Sequence, residues 1–138
     1  MTGIDAAFDA YRDAVWTRDA DALLALYAPD VRIFDTWGIW SYEGIEGWAA
    51  SVRGWLGSLG AERVAVAVAD RRIVEGQDMA TASACVTYAA IAADGRRLRS
   101  MQNRLSWVLA RRDGRWLIVH EHTSVPIGHD DLKGILQR

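Results

Sequence analysis

The sequence predicts an α+β domain in which three N-terminal helices pack on the concave face of a curved, cone-shaped antiparallel sheet. Apolar residues recur at helical spacing through roughly the first 60 positions. From position 62 onward, long runs read as strands, and the tight-turn dipeptides Asp94-Gly95 and Asp113-Gly114 separate them. Consecutive strands joined by tight turns form an antiparallel meander. A sheet this long must curl, so helices on its concave side would leave a cone with one open end, a shape that forms pockets.

The first helix is predicted from Ile4, Phe8, Tyr11 and Val15. Their spacing of four, three and four residues places them on one helix face, which we expect to be buried. Thr2 precedes this pattern and is expected to cap the helix.

Two further helices follow in the first half of the chain. Asp19 is expected to cap the second helix, which contains a leucine-rich run and ends at Pro29-Asp30. Residues 44–59 form the third predicted helix, and its apolar positions are Ile45, Trp48, Val52, Trp55, Leu56 and Leu59.

Five strands are predicted. The first, at 31–38, alternates so that Val31, Ile33 and Asp35 share one face. The other four lie at 62–75, 79–93, 97–111 and 115–125.

Composition limits the class of protein. The 138 residues fit one domain, expected to span 1–138 with a core at 1–126 and a C-terminal tail at 127–138. A net charge of −2 argues against nucleic acid as a partner, because phosphate binding needs a concentrated positive field. The longest uncharged run, 79–93, is too short and too polar to span a membrane.

Cellular context is also suggested by composition. Cys85 is the only cysteine, so no disulfide forms within the chain, and the N-terminus shows no signal-peptide pattern. We therefore expect a cytoplasmic protein. Lys133 is the only lysine among 16 basic residues and alanine is abundant, as in bacteria with GC-rich genomes.

Two segments carry a resemblance to a known superfamily. "YRDAVWTRDADALLALYAPDVRIFD" (11–35) resembles the first two helices and first strand of ketosteroid isomerases. "RRDGRWLIVHEHTSVP" (111–126) resembles the last hairpin of SnoaL-like proteins and of the calcium/calmodulin-dependent kinase II association domain. The chain is thus similar to the nuclear transport factor 2-like superfamily, of cystatin-like fold, which also includes scytalone dehydratase. The order of helices and strands fits across nearly the whole chain.

The resemblance to the isomerases implies roles for particular residues. It places a catalytic acid/base carboxylate at Asp35 and an oxyanion-binding hydroxyl at Tyr11. Those enzymes use a protonated aspartic acid as a second oxyanion donor, and the matching position here is Leu105, which cannot donate a hydrogen bond. The resemblance also implies that the outer face of the sheet packs against a second subunit.

Asp35 and Tyr11 attract attention without the resemblance. A carboxylate sharing a strand face with Val31 and Ile33 would point into an apolar region, where lost hydration raises its pKa. Such a group suits proton transfer near neutral pH. A buried Tyr11 hydroxyl would need a partner or a ligand. The alternative is that Asp35 caps Trp37-Gly38 and that Tyr11 reaches solvent.

Seven tryptophans are many for this length. Flat apolar walls suit a polycyclic or aromatic ligand, although any single tryptophan could instead belong to the core or to a dimer interface. The residues predicted to line a substrate pocket are Trp37, Trp55, Leu105, Trp107 and Glu121.

The last predicted strand carries His120 and His122 on one face and Glu121 on the other. A two-residue turn at Asp113-Gly114 would pair Trp107 with His120. A three-residue turn with a glycine bulge would instead pair Trp107 with Val119, and Leu105 with Glu121.

The family favours the bulged turn. Glu121 would then face the pocket, and the histidines would lie on the outer face near Arg104. His120, His122 and Arg104 remain secondary candidates for the site.

Metal and nucleophile chemistry are disfavoured. His120-x-His122 could supply two metal ligands, but a third would have to come from His129 beyond Pro126, so no metal is expected. Ser124 lacks the Gly-x-Ser-x-Gly elbow of hydrolases, and no glycine-rich phosphate loop indicates a nucleotide cofactor.

The predicted function is therefore that of a cofactor-independent isomerase, cyclase or dehydratase. It would act by acid/base chemistry on a hydrophobic carbonyl or hydroxyl compound. The alternative is a non-catalytic module of the same fold that binds a ligand or drives assembly. Either protein is expected to be a homodimer.

Overall fold

A computed structural model describes residues 3–138. Thr2, the predicted cap of the first helix, lies outside this range. The helices are α1 (Gly3–Thr17), α2 (Ala20–Leu24) and α3 (Ile45–Gly57). The strands are β1 (Tyr27–Phe34), β2 (Tyr42–Glu43), β3 (Arg63–Glu75), β4 (Met79–Ile91), β5 (Arg97–Arg112) and β6 (Arg115–Ser124).

The α+β layout is confirmed, and the sheet is a curved, open one of six strands in the order β2-β1-β6-β5-β4-β3. The strands β3 to β6 form the predicted antiparallel meander. The prediction of a wholly antiparallel sheet is wrong, because β1 pairs with β6 in parallel. The sheet is therefore mixed.

The boundary between α2 and β1 also differs from the prediction. Asp19 caps α2 as expected, since its Oδ1 accepts from the Ala22 N–H at 3.0 Å. The helix ends at Leu24, however, and Pro29 lies inside β1. Proline is tolerated there because the β1–β6 ladder is irregular between Tyr27 and Arg32, so its missing N–H removes no regular ladder bond.

Helix α1 is held against the sheet by stacking and charge. Phe8 is fully buried and stacks on Trp107 with ring centroids 4.4 Å apart. At a bulge in β3, the Arg71 guanidinium bonds Asp5 at 3.0 Å and Asp9 at 3.2 Å. These contacts place the buried face of α1, which includes Tyr11, over the sheet.

None of the helices within residues 3–138 is long and apolar enough to cross a membrane.

Candidate functional site

A cavity of about 650 Å³ lies between the helices and the concave face of the sheet. Its lining is mainly apolar and aromatic, with contributions from Tyr11, Trp37, Trp48, Trp55 and Tyr88. A pocket of this size and composition suits a drug-sized hydrophobic molecule. Its polar groups are few, so each of them is informative about chemistry.

Asp35 lies at the wall of this cavity, directly after the end of β1. It follows Val31 and Ile33, both fully buried, on the inward side of the chain. Its Oδ1 accepts a hydrogen bond from the Thr123 hydroxyl at 3.1 Å, and its Oδ2 accepts from the Trp37 N–H at 3.3 Å. Burial raises the pKa of Asp35 above its ordinary value, against the opposing effect of these donors.

Both sequence interpretations of Asp35 describe part of this geometry. The carboxylate caps the Trp37 N–H, as the alternative held, and it also borders the cavity. Tyr11 does not reach solvent, because only 6% of the residue is exposed. A carboxylate whose hydrogen bonds fix its orientation, with part of its surface at a cavity, is well placed for proton transfer.

Glu121 is a second carboxyl group at the cavity and is only 1% exposed. Both of its hydrogen bonds within residues 3–138 arrive at Oε1, from the Tyr27 hydroxyl at 2.6 Å and the Trp107 indole N–H at 2.8 Å. Oε2 is therefore left for the cavity. Burial raises the pKa of Glu121 to about 7, and the nearby charge of Asp35 acts in the same direction. A carboxyl group with such a pKa can exchange its proton near neutral pH.

Tyr11 and Tyr88 place paired hydroxyl groups at the cavity wall. Their oxygens are 2.9 Å apart, so one hydroxyl donates to the other. The second hydrogen of the pair stays available to a ligand. Burial raises the pKa of both phenols, which keeps them neutral donors.

Tyr88 and Asn103 are among the polar residues of the cavity that were not identified from the sequence. Asn103 is 8% exposed and its Oδ1 has no hydrogen-bond partner among the described residues. Its amide lies near Tyr88, where it lowers the pKa of that phenol. Alternation along β5 could have found it, because Asn103 shares the inward face with Leu105 and Trp107.

Some of the predicted pocket residues line the cavity, and the others lie in the core next to it. Trp37, Trp55 and Glu121 line the cavity. Leu105 and Trp107 are 2% and 1% exposed and lie in the core beneath it. Trp107 contributes indirectly, because it orients Glu121 and contacts the Tyr11 ring edge-on, with centroids 6.0 Å apart.

The register of the last hairpin differs from both predicted arrangements. Its turn has two residues, Asp113 and Gly114, at φ 52° and 77°, as a type I′ turn requires. A bulge further along the hairpin, at Val119, then shifts the register by one residue. Trp107 therefore pairs with Glu121, and Leu105 pairs with Thr123.

The bulge in β6 directs the same side chains to the concave face of the sheet as the expected bulge in the turn would have done. Glu121 points inward, and His120 and His122 lie on the outer face beside Arg104. The His120 ring is fixed by a 2.8 Å contact between Nδ1 and the Arg32 carbonyl oxygen. These three secondary candidates thus lie away from the main cavity.

Within residues 3–138, no group of three or more His, Cys, Asp or Glu side chains is arranged to hold a metal ion.

The family model for the SnoaL-like domain matches residues 4–128. Among curated proteins, no sequence matches the chain. The chain is similar in structure to an NTF2-like protein of unknown function from Pseudomonas putida KT2440, with a TM-score of 0.85 and 21% identity over 98% of this chain and 92% of that one.

Two other similar structures illustrate the range of the fold. One is a protein of unknown function with a cystatin-like fold from Nostoc punctiforme, at TM-score 0.70 and 17% identity over 89% of this chain and 88% of that one. The other is the association domain of CaMKII from C. elegans, at TM-score 0.70 and 21% identity over 88% of this chain and 92% of that one. At these identities the likeness concerns the fold.

Proposed function

The chain belongs to the SnoaL-like domain family of the nuclear transport factor 2-like superfamily, and from that premise we propose that it is a cofactor-independent acid/base enzyme. Its substrate would be a hydrophobic carbonyl or hydroxyl compound, and its reaction an isomerisation, cyclisation or dehydration. The observation that carries this proposal is the presence of two carboxyl groups, in unlike environments, at the wall of one apolar cavity.

The unlike environments suit the two carboxyl groups to different roles. Asp35 accepts hydrogen bonds from the Thr123 hydroxyl and the Trp37 N–H, which stabilise its carboxylate form, so we assign it as the base. Glu121 holds its proton up to about pH 7 and can act as an acid or as a hydrogen-bond donor. Separation of two carboxyl pKa values by environment is a recognised basis for acid and base assignment.

For a β,γ-unsaturated ketone, the steps balance without any other reactant. The Asp35 carboxylate removes a proton from the α-carbon, and the electron pair moves to the carbonyl oxygen to give a dienolate. The spare hydroxyl hydrogen of the Tyr11–Tyr88 pair and the proton of Glu121 stabilise that oxygen as hydrogen-bond donors. The proton then returns from Asp35 to the γ-carbon, which gives the conjugated ketone. Asn103 offers a further amide group near Tyr88.

We expect the wild-type protein to isomerise a hydrophobic β,γ-unsaturated cyclic ketone with a bell-shaped pH profile. The acid limb reflects ionisation of Asp35, and the alkaline limb, near pH 7, reflects loss of the Glu121 proton. The measurement is the rise in ultraviolet absorbance of the conjugated product between pH 4 and 9. Glu121→Gln keeps a donor at every pH, so it should remove the alkaline limb. An unaltered alkaline limb in that variant would exclude Glu121 as the acid.

A non-catalytic assembly module is the second candidate, favoured by the similarity to the CaMKII association domain. An assembly role does not require an open cavity with carboxyl groups at its wall, so that geometry favours the enzyme. The two functions share one expectation, a homodimer formed through the outer face of the sheet.

We expect sedimentation velocity at micromolar concentration to show a dimer. Arg104 is exposed on the outer face, and Arg104→Glu should shift the protein toward monomer by reversing a charge inside the contact. Arg97→Glu, an equal charge change at the exposed start of β5, serves as the control. A monomeric wild-type protein would contradict the expectation.

A further inference from the structure

A second depression, which we call the outer groove, lies on the other side of Asp35 from the cavity. It measures about 630 Å³ and is formed by the loop after β1 and by the C-terminal segment after β6. The residues that define it include Trp40, His122, Ile127, Leu132 and Gly134. The proposed reaction leaves this groove without a role.

The C-terminal segment is fixed in place by hydrogen bonds to β5. The pairing of β6 with β5 ends at Ser124, which leaves the edge of β5 open from there toward Arg97. The tail covers this edge, since the Gln102 N–H donates to the Leu136 carbonyl oxygen at 2.7 Å and the Gln137 amide donates to the Ser100 carbonyl oxygen at 2.7 Å. The tail is thus an ordered part of the site.

The cavity and the outer groove have a common boundary. Asp35, Trp37, Thr123 and Leu136 line both of them. A molecule that extends from the cavity past Leu136 would therefore enter the groove with its middle at the Asp35 carboxylate. This common boundary favours a small-molecule ligand as the occupant of the groove.

The loop and the tail contribute apolar side chains to the groove that are exposed in the single chain. Trp40 is 95% exposed, Leu132 is 77% exposed and Ile127 is 66% exposed. Exposed apolar side chains that line one depression are typical of binding surfaces. An alkyl chain or ring lying in the groove would remove part of this surface from water.

We infer that the outer groove is a second ligand subsite, which takes an apolar extension of the molecule whose head occupies the cavity. The substrate is then elongated, and its reacting carbon lies near the middle, beside Asp35. The inference rests on the proposed function for the location of the head group. Binding, however, can test it without turnover.

The test is a series of 4′-alkylacetophenones, with chains from methyl to hexyl, titrated into the protein and followed by quenching of tryptophan fluorescence. The aryl ketone fits the cavity, and the chain reaches the groove. We expect Kd to fall by about two- to fourfold for each added methylene, because each one buries apolar surface.

Variants of the groove separate the subsite from general hydrophobic partitioning. Trp40→Ser and Leu132→Ser change exposed side chains, and we expect each to weaken binding of the hexyl compound by at least about fivefold while leaving that of the methyl compound unchanged. Val74→Ser, at a 72% exposed position on β3 outside both lining sets, is the matched control and should change neither Kd.

Three results would overturn the inference. If the groove variants weaken binding of the methyl and hexyl compounds equally, the substitutions act indirectly on the cavity. If Kd depends on chain length in the variants as it does in the wild type, the groove does not bind the chain. A change in sedimentation in the groove variants, without a change in Kd, would assign the groove to a second copy of the chain. If the alkylacetophenones bind as expected but a β,γ-unsaturated ketone is never isomerised, the proposed function fails and the subsite stands.

Discussion

Replacing Asp35 with asparagine is expected to reduce turnover of a β,γ-unsaturated ketone by about 10²- to 10⁴-fold, the range that a positioned general base contributes. The amide matches the carboxylate in shape and can still accept from the Trp37 N–H. It cannot take a proton from carbon at neutral pH. The loss should therefore appear in kcat, with a smaller change in KM, because the cavity itself is preserved.

Asp78→Asn is the matched control for this variant. Asp78 lies exposed in the turn between β3 and β4, outside the lining of both the cavity and the outer groove, and its substitution makes the same change of charge. It should leave kcat unchanged. Asp35→Asn turning over at the wild-type rate, with an unchanged circular dichroism spectrum, would remove Asp35 from the mechanism.

The second large effect is on stability and comes from Glu121→Gln. The folded protein holds the pKa of Glu121 at about 7, against an ordinary value of 4.5. Between these values the folded state binds more protons than the unfolded state, so the stability of the wild type falls as pH rises through this window. The loss is complete above about pH 7 and amounts to about 3 kcal/mol, at 1.36 kcal/mol for each pKa unit.

Glutamine removes this titration and retains an oxygen that can accept from Tyr27 and Trp107. The free energy of unfolding of Glu121→Gln should match that of the wild type near pH 4 and exceed it by about 3 kcal/mol at pH 8. Urea unfolding at a series of pH values measures the difference, in which the titration of all other groups cancels. Glu75→Gln, at an exposed strand end, should show no such trend. A constant difference from pH 4 to pH 8 would show that Glu121 titrates normally.

If replacing the native Glu121 carboxyl group increases stability, that result would also bear on function. Buried charge that costs stability is typical of sites where a group must exchange protons. The same substitution is expected to alter the pH profile of turnover. Together, the two results would show that the buried Glu121 carboxyl group lowers the stability of the folded protein and takes part in turnover.

Much of the fold was accessible from the sequence because its strands are long and their turns are distinctive. The four long strands end within two residues of their predicted limits, and the spacing of apolar residues in α1 identified its buried face. The inward direction of Asp35 followed from alternation after Val31 and Ile33. These features depend on local pattern, which a single sequence contains.

The remaining features depend on contacts between distant parts of the chain. Nothing local indicates that β1 pairs in parallel with β6, or that Pro29 continues a strand instead of ending a helix. No glycine or proline near Val119 indicates a bulge there, although this bulge determines that Trp107 pairs with Glu121. The role of the tail depends on an open edge of β5 that becomes visible only when the end of β6 is known.

The proposed role of Asp35 is to transfer a proton to and from carbon in the apolar cavity. Its most direct measurement is the exchange of the α-hydrogens of 2-tetralone with solvent deuterium, followed by proton NMR for the wild type, Asp35→Asn and the Asp78→Asn control. We expect rapid exchange with the wild type and the control, and exchange at the buffer rate with Asp35→Asn. Exchange at the buffer rate with the wild type, although tetralone occupies the cavity, would contradict it.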